Sequence, residues 1–131
     1  MNENRIENVG GGRKFTKPQT EILPLGQAAW QYLNVERGLR REVVEAYRLG
    51  TSKHGEIVVP FFDERDELQL VKFRHAAGEM LKRRRKLDNG EFAEYEAKST
   101  IEKGGRGILF GSHLCDPEAG ALVICFGVTT R

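Results

Sequence analysis

The stretch "EIVVPFFDERDELQLVKFRHA", residues 56–76, decides the fold. Two runs, Ile57 to Phe62 and Leu68 to Phe73, are rich in β-branched and aromatic residues. They flank the polar sequence Asp63-Glu64-Arg65-Asp66-Glu67, a pattern that predicts a β-hairpin. Leu68 and Leu70, then Val71 and Phe73, break strict alternation, so the second strand carries a bulge or is covered on both faces. Pro60 has no N–H for a ladder and belongs on an edge or at a bulge.

On the N-terminal side, Leu25, Ala28, Ala29, Tyr32 and Leu33 recur at i, i+3, i+4, i+7 and i+8, which predicts a helix ending near Gly38. Leu39, Val43, Ala46 and Tyr47 repeat the period, and Gly50 is placed to end this second helix. Residues 1–20 contain Gly10-Gly11-Gly12 and Lys17-Pro18 without an apolar period, and they read as a flexible linker. On the C-terminal side, Asp88-Asn89-Gly90 marks a turn between segments that are either strand or irregular. A short helix is predicted from Ile108 to Cys115, stopped by Pro117, and a buried strand from Ala121 to Phe126. The class is α+β: a helical hairpin packed on a small, mainly antiparallel sheet, then a short helix and a strand that begin an incomplete second layer.

With 131 residues the chain has room for one domain and a tail. No apolar stretch approaches the ~20 residues of a membrane helix, and "MNENRIENVGGGRKF" lacks a secretory core, so the expected setting is cytoplasmic with no membrane contact. Cys115 and Cys125 are too few for a disulfide framework, and with His113 they lack zinc-site spacing. No metal or other cofactor is expected on this chain.

Net charge is only +2, but Lys82-Arg83-Arg84-Arg85-Lys86 places five cations in succession. Such a run needs either anions opposite it, as on a nucleic-acid backbone, or full solvation as a loop or helix face; from the run alone the two stand level. Lys72 and Arg74, two apart on the predicted strand, share a face and add charge to a sheet surface next to the run. In "EKGGRGILF", Lys103 and Arg106 accompany three glycines ahead of the predicted helix, either a phosphate grip or a flexible turn. Asp63, Glu64, Asp66 and Glu67 read as a solvated turn in preference to a hard-cation site. His54, His75 and His113 have no nucleophile or acid at a recognisable spacing, so no catalytic triad is assigned.

In order, "YLNVERGLRREVVEAYRLG", "IVVPFFDERDELQLVKFR", "GILFGSHL" and "ALVIC" resemble the primase part of bacteriophage-type DNA primase-helicases and, more distantly, bacterial DNA primases. Arg37-Gly38-Leu39, Pro60, Asp63, Lys72-Phe73-Arg74 and Leu109-Phe110-Gly111 carry the match, which spans roughly residues 25 to 125. The resemblance implies a basic subdomain over residues 21–107 that grips single-stranded DNA template, and the start of a Toprim domain over 108–131. In the family the last strand delivers a glutamate to a magnesium site for nucleotidyl transfer. Here Phe126 stands at that position and Val128 replaces the next acid, so the chain is expected to be inactive alone. The departure after Cys125 reads as a frameshift, a disrupted gene or a designed boundary.

The charge pattern, taken with that resemblance, gives the expected binding set as Lys72, Arg74, Lys82, Arg83, Arg84, Arg85, Lys86, Lys103 and Arg106, and the resemblance implies helicase or zinc-ribbon parts of a primase as partners. The strand Ala121 to Phe126 is expected to add to the sheet edge or to pair with a second molecule. A protein-interaction adaptor in a replication machinery is the competing reading. An active enzyme completed by a partner's carboxylates is the third.

Overall fold

The computed structural model describes residues 14–121. Among these the strands are β1 (Gly50–Thr51), β2 (Ile57–Phe62), β3 (Leu68–Arg74), β4 (Leu81–Lys86), β5 (Phe92–Ala97) and β6 (Ser99–Ile101). The helices are α1 (Gln27–Gln31), which runs into a π-helical turn (Tyr32–Glu36), and α2 (Arg41–Ala46). The class is α+β. One sheet has the order β1-β2-β3-β6, all antiparallel, and β4 and β5 form a separate two-stranded hairpin.

The decisive hairpin forms as its sequence predicts. β2 pairs with β3 from Ile57↔Arg74 to Phe62↔Leu68, and the register shifts between Phe61 and Phe62. Pro60 lies mid-strand and its side chain is fully buried, yet β1 pairs only as far as Val58, so the flank of β2 at Pro60 is an open edge. The turn is not simply solvated, because Asp63 is only 5% exposed. Its Oδ1 accepts the N–H groups of Arg65 and Glu67 at 2.9 Å, and its Oδ2 accepts Gln69 Nε2 at 2.9 Å. Those bonds, the Glu67 N–H first, hold its carboxyl below the usual range.

Register separates the faces of the sheet. Ile57, Val59, Lys72 and Arg74 share one face, and Val58, Phe73 and Thr100 share the other. The first face receives the helices: Ile57 joins Ala29, Tyr32, Leu33 and Val44 in a buried cluster. Both helices stop short of the predicted glycines. Gly38 adopts φ +74° beyond the π-helical turn. Gly50 has a different purpose, since a Cβ there would lie 2.5 Å from the Leu23 carbonyl oxygen, against which β1 packs.

Two expectations are corrected. No helix spans Ile108 to Cys115; one 3-10 turn, Ser112–Leu114, takes its place. Gly111 breaks the segment at φ +83°, while Phe110 stacks on Tyr47 at 4.7 Å and His113 Nε2 meets the Ala46 carbonyl at 2.9 Å. Tertiary anchoring thus overrides local helical tendency.

The predicted linker is docked over its described part. The Thr16 N–H donates to Gly104 O, Gln19 and Thr20 donate to the Glu102 carboxylate, and Leu23 exchanges backbone bonds with Thr51. Residues 16–23 therefore run as a belt from the β6 end of the sheet to β1. The predicted strand from Ala121 to Phe126 lies outside the described residues beyond Ala121.

Candidate nucleic-acid interface

The cationic run is a β-strand. Its partner is set by the Asp88-Asn89-Gly90 turn, in which the Leu87 N–H donates to Glu91 O and Gly90 takes φ +91°. The pairs are Lys82↔Glu96, Arg84↔Glu94 and Lys86↔Phe92 on one face, and Leu81↔Ala97, Arg83↔Tyr95 and Arg85↔Ala93 on the other. The five cations are therefore divided.

The second face turns toward the four-stranded sheet only at its Leu81 and Arg83 end, where Leu81 is buried, whereas Arg85 and Tyr95 on the same face are exposed. Arg83 Nη2 donates to both Glu56 carboxylate oxygens at 3.1 Å and to Thr100 Oγ1 at 3.3 Å. A guanidinium held this way has much of its charge committed to Glu56. The first face is exposed and carries Lys82, Arg84 and Lys86, with the Arg84 guanidinium 4.9 Å above the ring of Phe92. Glu94 and Glu96 stand directly across from two of these cations and lower the net charge of the face.

Lys72 and Arg74 do share a face, but it is the wrong one for the surface foreseen. Arg83 reaches Thr100, which is on the opposite side of the sheet from Lys72 and Arg74. Lys72 Nζ lies 5.9 Å from the Phe61 ring, and Arg74 lines an apolar cleft beneath the π-helical turn. Lys103 and Arg106 are exposed on the loop after β6, where the Arg106 N–H donates to Gln69 O. With no helix following, the glycines of that loop form a turn: a Cβ on Gly105 would lie 2.9 Å from Gln69 O. The nine candidate residues thus occupy three separate places.

The four acids of the β2–β3 turn are largely engaged. Asp63 holds the turn, Asp66 pairs with Arg48 at 2.9 Å, and Glu67 pairs with Lys17 at 3.1 Å. Among the described residues no three His, Cys, Asp or Glu side chains are grouped to hold a metal ion. No described helix is long and apolar enough to cross a membrane.

Sequence reasoning missed Glu56, Phe92, Glu94 and Glu96. Counting outward from the Asp-Asn-Gly turn would have found the last three, because a hairpin there puts "FAEYEA" opposite "LKRRRK". Fold and surface together define a small α+β domain bearing a cationic hairpin. Compared with known proteins, the chain matches no family model, no curated protein and no solved structure. A functional reading therefore rests on its own residues.

Proposed function

We propose that this chain is the basic, template-gripping part of a primase of the primase-helicase type, acting in the cytoplasm, and that it binds single-stranded DNA through the β4–β5 hairpin. The observation that carries the reading is the exposed face on which Lys82, Arg84 and Lys86 flank Phe92. Cations at alternate strand positions can meet successive phosphates, and an exposed ring offers a stacking surface to any base. Binding is weak and indifferent to sequence, since Glu94 and Glu96 oppose part of the charge and the contacts are to phosphates and base faces. Lys103 and Arg106 add charge from a neighbouring loop.

Catalysis is not part of the proposal. In the family that the chain resembles, carboxylates on the Toprim strand hold magnesium and neutralise the charge developing during transfer. Phe126 and Val128 have no such chemistry. The chain thus holds template and leaves transfer to carboxylates it does not itself supply at those positions.

The test is fluorescence anisotropy of a labelled oligo-dT, read against salt, for the parent and for Lys82→Ser/Arg84→Ser/Lys86→Ser. Three phosphate contacts predict a log–log salt slope of about −2 for the parent, and the triple variant should flatten it. Equal binding by parent and variant would make the face merely solvated. Absence of any DNA signal at low salt would favour the adaptor reading, which the paired charges on the hairpin also suit. Primer synthesis by the parent with magnesium and nucleotides would refute the inactive reading.

A further inference from the structure

On the helix side of the sheet lies a cleft of about 300 Å³, walled chiefly by apolar side chains such as Leu33, Ile57, Val59 and Phe110. Arg37 and Arg74 also line it, and no acid does. Arg74 comes from β3, whose face is fixed by the Ile57↔Arg74 pair, while Arg37 sits exposed at the end of the π-helical turn. Arg74 Nε is buried with no hydrogen-bond partner, and neither arginine forms an ion pair among the described residues.

This arrangement is costly for a protein acting alone. A guanidinium N–H removed from water and left without an acceptor destabilises the fold, and apolar walls strengthen its field. A carboxylate would satisfy it, because the planar guanidinium fork matches two carboxylate oxygens, whereas the walls would cover an apolar body. The volume is at the small end of ligand sites, which suits a compact molecule.

The geometry points to a binding site for a small aromatic or aliphatic carboxylic acid, its carboxylate held between Arg74 and Arg37 and its apolar body under Phe110. This site lies across the sheet from the Arg83 side chain and is independent of the DNA-binding reading.

The test uses the full chain with 2-naphthoate and its neutral counterpart 2-naphthylmethanol, by isothermal titration calorimetry. Naphthoate should bind about tenfold or more tightly than the alcohol, the factor expected of a charge-assisted pair. Arg74→Met and Arg37→Met should each collapse that ratio, and Lys82→Ser should leave it unchanged. Arg37 is exposed, so its variant serves even if Arg74→Met fails to fold. Equal affinity for acid and alcohol, no binding of either at millimolar concentration, or stronger binding of thymidine monophosphate than of naphthoate would overturn the assignment.

Discussion

Arg83→Ala should behave unlike the substitution of any neighbouring cation. The Arg83 and Glu56 side chains are 29% and 18% exposed, and they meet through two 3.1 Å contacts supported by Thr100. Hydrogen bonds to charged groups contribute about 1.5–3 kcal/mol each, with the larger loss when the abandoned partner stays buried. Partial exposure lets water reach Glu56 in the variant, so we take about 2 kcal/mol as the cost. For a domain of this size that corresponds to a fall in Tm of roughly 8 °C.

Arg84→Ala, by contrast, removes an exposed side chain over Phe92 and should change stability by no more than about 0.5 kcal/mol while weakening DNA binding. Thermal unfolding followed by circular dichroism distinguishes the two. A cycle with Glu56→Ala should give a coupling of about 1–2 kcal/mol between Glu56 and Arg83. Equal melting of Arg83→Ala and Arg84→Ala, or additive losses in the cycle, would refute the division of the run into structural and exposed cations.

Asp63→Ala leaves the N–H groups of Arg65 and Glu67 and the amide of Gln69 without their acceptor, and should lower stability at neutral pH. Because the folded carboxyl titrates below its ordinary 3.8, its contribution is fully present above that value and is lost as pH falls through the lower folded one. Urea unfolding at about pH 6 and about pH 3 should show the gap between parent and variant narrowing in acid. Gly50→Ala places a Cβ 2.5 Å from the Leu23 carbonyl oxygen and should destabilise by about 1–3 kcal/mol, whereas Gly107→Ala meets nothing within 4 Å and should be nearly neutral in the same urea assay.

The β2–β3 hairpin was legible because its β-branched runs and polar turn agree with each other and with the face that buries Ile57. The β4–β5 hairpin was not, because in "LKRRRK" all positions after Leu81 are charged and the alternation shows only in what each cation touches. Local pattern showed that Lys72 and Arg74 share a face; which face could not be read, since both sides of β3 are covered. Glu56 lies 27 positions from Arg83, and His113 lies 67 from its partner Ala46, so neither contact leaves a short-range trace. The same distance hid the docking of Thr16 to Thr20, whose sequence has the composition of a linker and whose donors are accepted by Glu102 and Gly104.

That belt has a kinetic consequence. Thr20 and Glu102 are 82 positions apart, and pairing of β6 with β3 is what carries Glu102 to the sheet, so the segment is expected to dock after those strands have paired. On that order the segment is expected to open on its own, at a free energy below that of the whole domain. Amide exchange at Gln19, Thr20 and Leu23 should therefore run ahead of exchange at Val58 and Val71, where β2 and β3 are fully buried. Gln19, Thr20 and Glu21 line the same groove as Glu56, Phe73 and Arg83, so undocking of the segment would widen the access of water to a Glu56–Arg83 pair that is already partly exposed. The strength of that ion pair is therefore expected to depend on the docking of a segment far from it in the sequence.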